Sequence, residues 1–160
     1  MRLHFLASAV VAVATCAAAQ GPAPKTPAIH ASQSTESAID EAVVRYQIKS
    51  WEIGADSYCV RIKGQDADDK FLRQLKGLPV RPASDCTQKK TKDGMSVVDK
   101  HSKKKSVLLG VGDIIALTDD SAKVQGSYLC GSQCMSGGVY HLAFDGSQWK
   151  VTKYDAYISE

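Results

Sequence analysis

Asparagine is missing from the chain altogether, which removes both the N-glycosylation acceptor and the Asn-Gly turn. Beyond the first twenty residues, no window approaches the run of about 18 apolar residues that a membrane-crossing helix needs. H-E-x-x-H, G-x-S-x-G, the Walker loop and a paired glycosidase signature are all lacking, so no short motif with a known catalytic mechanism is available. No segment of about 20 to 50 residues repeats, which excludes solenoids and propellers. Aromatic residues make up 7% of the chain, and Lys+Arg exceed Asp+Glu by only 20 to 17. That balance is too small to imply nucleic acid.

What is present suits one globular domain: 160 residues, 44% hydrophobic and 23% charged. The start, Met1-Arg2-Leu3-His4, is short and basic, Phe5 to Ala14 is apolar, and Ala17-Ala18-Ala19 precede Gln20. Residues 1–19 therefore read as a signal peptide cleaved after Ala19, and the protein is expected in the periplasm or the medium. The alternatives are a retained anchor and lipidation at Cys16, where Val13-Ala14-Thr15-Cys16 resembles a lipoprotein box with a poor residue at Thr15. Pro22, Pro24 and Pro27 make residues 20–34 a linker. Residues 35–160 form the domain.

Export changes how the cysteines read. Removal of Cys16 leaves an even set, Cys59, Cys86, Cys130 and Cys134, for which an oxidising compartment favours two disulfides among three possible pairings. Closeness along the chain favours Cys59 with Cys86 and Cys130 with Cys134. On the chain-entropy account the first contributes about 3.5 kcal/mol and the second about 2 kcal/mol.

Ser34 or Thr35 is placed to cap a first helix, in which Ile39, Ala42, Val43 and Tyr46 recur at helical spacing. Tyr58, Val60 and Ile62 alternate with Cys59, Arg61 and Lys63, a half-buried strand. Asp66 is placed to cap a short second helix carrying Phe71, Leu72 and Leu75, which Gly77 ends. From Ser106 onward the pattern is strand: 107–111 and 114–117 joined by a bulge at Gly112-Asp113, a turn at 118–121, a strand with Ala122, Val124 and Tyr128 on one face, and a hairpin around Asp145-Gly146. The expected fold class is α+β, with the two helices packed on a curved antiparallel sheet of about four to six strands.

In this order of elements, and in the closing runs 123–128, 138–142 and 149–151, the chain resembles small secreted bacterial members of the cystatin-like and nuclear transport factor 2-like superfamily. The resemblance implies a long sheet wrapped on a helix, used as a ligand pocket, an enzyme site or a protein-docking face. It carries no catalytic residues onto this chain.

Three features bear on chemistry. Cys130-Gly131-Ser132-Gln133-Cys134-Met135 resembles the C-x-x-x-C copper site of cytochrome oxidase assembly chaperones, with His141 as a third ligand; its structural alternative is a small disulfide ring. The segment Lys89 to Lys105 holds seven lysines against two aspartates, a charge of +5, suited either to weak contact with an anionic surface or to a solvated loop. It has no interleaved aromatics, so single-stranded nucleic acid is not expected. His141, Asp113, Tyr140 and Asp155 would supply acid and base chemistry if they converged. The leading expectation is an exported, non-enzymatic module that binds a protein or a small apolar ligand on the concave face of the sheet, with no metal or cofactor. Tyr128, Tyr140, Trp149, Tyr154 and Tyr157 would provide exposed anchors there. A pocket enzyme of the same fold and a copper or thiol-redox protein are the alternatives.

Overall fold

A computed structural model describes residues 32–50, 54–92 and 94–157. The signal segment, Cys16 and nearly all of the linker lie outside the described residues. Helix α1 spans Gln33–Ser50. Its cap is Ser32 rather than Ser34 or Thr35: the Ser32 Oγ accepts the Thr35 N–H at 3.2 Å, and the Ser32 carbonyl accepts the Glu36 N–H at 3.0 Å. Helix α1 thus begins two residues before position 35, where the domain is expected to start. Ile39, Val43 and Gln47, with Asp40 and Val44 beside them, recur every fourth position and form the buried stripe.

The strands are β1 (Ser57–Ile62), β2 (Gln65–Asp66), β3 (Val80–Pro82), β4 (Cys86–Thr91), β5 (Gly94–Asp99), β6 (Ser106–Leu117), β7 (Ser121–Gly131), β8 (Cys134–Phe144) and β9 (Trp149–Ala156), with α2 at Asp69–Gln74. The meander β6–β7–β8–β9 is antiparallel, as its alternation and hairpin signals predict. The bulge is where Gly112-Asp113 puts it, as a register shift between Val111 and Ile114 within one continuous strand.

Two features depart from expectation. The sheet has nine strands rather than four to six, and it is mixed: β1 runs parallel to both β6 and β3, while β2 is antiparallel to β1. β2 and β3 are two and three residues long, held by backbone pairing that leaves no side-chain period to read. β4 is exposed at every position after Cys86, so no apolar alternation marks it. It pairs along its whole length with β5, and that hairpin meets β7 at Ser96 and Gly131. As the outer strand it carries Lys89 and Lys90, charges that discourage pairing with a second chain.

The second helix also differs in its cap. Asp68, not Asp66, accepts the Phe71 N–H at 2.7 Å, and Asp66 instead accepts the Ser84 N–H at 2.8 Å. Gly77 follows the helix at φ 91°, the left-handed region glycine enters without strain. The core lies between α1 and one face of the sheet, where Ile39, Val43 and Val44 pack on Val107, Leu109, Val111, Val124, Tyr140 and Leu142. Phe71 and Leu75 of the α2 segment close one end.

Candidate functional site

Alternation along the strands sends Leu109, Val124 and Tyr140 toward α1 and their neighbours to the opposite, open face. On that face one row of residues crosses the sheet. Arg61 pairs with Gly110, Gly110 with Ser127, and Ser127 with Gly137; Tyr157 then donates its N–H to the Gly137 carbonyl at 2.8 Å. At about 4.8 Å between strands the row is about 19 Å long, and its three inner positions carry no side chain larger than serine. Gly112 sits beside Gln125 in the neighbouring row, where an added Cβ would lie 3.1 Å from the Gln125 Cβ.

The result is a trough of about 270 Å³ across the strands, walled by Arg61 at one end and Tyr157, 56% exposed, at the other. Its depth depends on the glycines. A Cβ on Gly137 would come 3.3 Å from the Tyr157 ring, and one on Gly110 would come 2.9 Å from the Ser127 Oγ.

The four acid–base candidates do not converge. His141 Nε2 lies 2.9 Å from Asp155 Oδ2 on the open face, and Asp155 is also held by Lys153 at 2.8 Å. The Lys153 ammonium, ahead of His141, keeps the Asp155 carboxyl below its ordinary range. Tyr140 points the other way, fully buried, with its ring 4.6 Å from Tyr154 and its hydroxyl accepting from Gln47 Nε2 at 3.2 Å. Asp113 stands exposed in the β6 bulge.

The cysteines pair as Cys59 with Cys86 and Cys130 with Cys134, at Cα separations of 6.0 and 5.2 Å. His141 does not join the second pair: it stands seven residues farther along β8, about 23 Å at strand rise. Among the described residues, no three His, Cys, Asp or Glu side chains are grouped to hold a metal ion. The aromatic expectation also needs correction. Tyr140 and Trp149 are buried in the core, Tyr128 and Tyr154 are partly buried, and only Tyr157 of the five is well exposed: Tyr128 and Tyr140 occupy even-numbered positions of β7 and β8, which face α1, and Tyr154 of β9 pairs directly with Tyr140.

Sequence reasoning passed over Asp40, Gln47 and Asp99. Asp40 is 4% exposed, and its Oδ1 has no hydrogen-bond partner among the described residues. Burial raises its pKa to about 6, with Lys63 opposing the shift and Glu36 adding to it. The available signal was its position within the apolar stripe, one residue after Ile39 and four before Val44. Asp99 is fully buried against Arg81 at 2.8 Å and accepts the N–H groups of His101 and Ser102 at 2.7 and 2.8 Å.

No known protein family, curated protein or solved structure matches this chain.

Proposed function

We propose that this chain is an exported binding module without catalytic activity of its own, and that its working surface is the open face of the sheet. The observation that carries this reading is the trough from Arg61 to Tyr157, floored by Gly110, Ser127 and Gly137. Over the meander, the opposite face is covered by α1 and packed side chains. The length of the trough suits an extended segment of a protein partner: the about 19 Å row accommodates about six extended residues. Arg61 offers a planar fork of donors for an acidic side chain, Tyr157 an apolar ring with a polar tip, and Ser127 and Gln125 hydrogen bonds between them.

Two disulfides support export, because such bonds persist in oxidising compartments. Among the described residues no helix is long and apolar enough to cross a membrane. The cystatin-like and nuclear transport factor 2-like reading of the fold is kept as part of this proposal, supported by one long helix laid on a four-stranded meander. The enzyme alternative has less support, since the His141–Asp155 pair has Lys123 and Lys153 as its cross-strand neighbours.

Peptides selected from a displayed library against the purified protein provide the test. Gly137→Val and Arg61→Ala should each weaken the selected peptides by about tenfold or more, a change of about 1.4 kcal/mol, with the native circular dichroism kept. Peptides indifferent to both substitutions would move the working surface elsewhere.

A further inference from the structure

Away from the sheet face, α1, the turn after β1 and α2 enclose a groove of about 600 Å³. Ile62, Ala67 and Phe71 give it an apolar side. Its rim carboxylates are already engaged: Glu36 Oε2 accepts from Lys63 Nζ at 2.6 Å, Asp66 from the Ser84 N–H at 2.8 Å, and Asp68 from the Phe71 N–H at 2.7 Å. Ser37 donates to Gln74 Oε1 at 2.8 Å. Asp40 is the exception. It lines the groove at 4% exposure, and its Oδ1 meets no donor among the described residues. A carboxylate with one oxygen shut away and unpaired is costly to ionise, and a cation held against its other oxygen, on the groove side, would offset part of that cost.

We propose that this groove binds a small organic cation, a primary ammonium on a short apolar body, with Asp40 as the charge that receives it. The chemistry of the site selects this class. With Oδ1 enclosed, one carboxylate oxygen is left to meet a ligand, which suits the rotatable donors of an ammonium better than the two parallel N–H bonds of a guanidinium. Metal binding lacks the grouped ligands it requires among the described residues. The groove is of the size that holds small ligands elsewhere, and Ile62 and Phe71 supply the apolar contact for the body of the molecule.

Binding follows the ionisation of Asp40. Its burial holds the proton up to about pH 6, so affinity should fall about tenfold from pH 7 to pH 5. Glu36 from α1, Lys63 from the turn after β1, Asp66 and Asp68 from the segment before α2, and Lys70 from α2 also face the groove; Glu36→Gln measures what that surrounding charge adds.

The experiment is a titration of the ¹⁵N-labelled protein with benzylamine and with its neutral counterpart, benzyl alcohol. Benzylamine should give saturable shifts at the amides of Asp40, Lys63 and Phe71 with a Kd of about 1 mM or tighter. Benzyl alcohol, or benzylamine against Asp40→Asn, should bind about tenfold more weakly. Glu36→Gln should change affinity less than Asp40→Asn. Equal binding of amine and alcohol, retention of affinity in Asp40→Asn, an affinity unchanged by acidification, or shifts at these amides with Mg²⁺ or Zn²⁺ in place of benzylamine would each overturn the proposal. If Asp40→Asn fails to fold, the comparison of amine with alcohol across pH on the unaltered protein still decides it.

Discussion

Asp40 and Asp99 are both buried carboxylates, and their surroundings push them in opposite directions. Backbone donors from Ser102 and His101, with the Arg81 guanidinium beside them, hold the Asp99 carboxyl below its ordinary range despite burial. Asp40 has only the distant pull of Lys63, and desolvation wins. In the fold it titrates at about 6, above the ordinary aspartate value of 3.8, so the folded state holds the proton more tightly than the unfolded chain. The associated stability is complete below the lower value and is lost as pH rises through the upper one. Asp40→Asn is therefore expected to stabilise the protein by up to about 3 kcal/mol near pH 7 and by almost nothing near pH 4. Urea unfolding at the two pH values checks this, and an equal effect at both would show that the carboxylate charge is not the cause.

At the scale of elements, the +5 segment is mostly structured rather than a loop: Lys89 and Lys90 lie on β4, and Lys100 to Lys105 form the connection into β6. That connection is held at its base by Asp99, whose carboxylate takes the N–H groups of His101 and Ser102, and the Asp99 N–H donates to the Lys104 carbonyl at 3.0 Å. Its lysine side chains contribute little. Lys103, Lys104 and Lys105 are exposed, and the Lys104–Asp56 pair at 3.5 Å has both partners about half in solvent or more, the kind of pair worth little in stability. Replacing all three by Gln is expected to change unfolding free energy by less than about 0.5 kcal/mol. A larger loss in a denaturation curve would mean that the lysine stems or charges pack where the structure shows them exposed. Cys59 illustrates a limit of strand-period reasoning. Alternation with Tyr58 and Val60 assigns it to the open side, yet it is fully buried, because its disulfide to Cys86 brings the start of β4 over that end of the sheet.

For the whole molecule, the pH dependence of stability is the sum of these local effects. Asp66, Asp99, Asp145 and Asp155 all have carboxyls held below the ordinary range, chiefly by hydrogen bonds from Ser84, Ser102, Lys150 and Lys153 respectively. Such groups stabilise above about pH 4 and lose that contribution in more acid solution, whereas Asp40 acts with the opposite sign between about pH 4 and pH 6. Stability is expected to peak at about pH 4 to 5 and to decline toward pH 7; thermal melts across that range test it, and a flat profile from about pH 5 to pH 7 would contradict the burial of an ionisable Asp40. What depends on near neighbours was legible in the residues alone: the apolar stripe of α1 and the C-terminal meander in periods of about 3.6 and two residues, and the bulge and the last hairpin in the pairs Gly112-Asp113 and Asp145-Gly146. Tertiary structure alone decided the parallel pairing of β1 with β6, the docking of the β4–β5 hairpin, and the row that gathers Arg61, Gly110, Ser127, Gly137 and Tyr157 from five separate stretches of chain. It also decided that an aspartate one residue from Ile39 would be shut away from water. The reason is that side-chain direction is a local property of the backbone, whereas strand register and desolvation are set by residues distant in sequence.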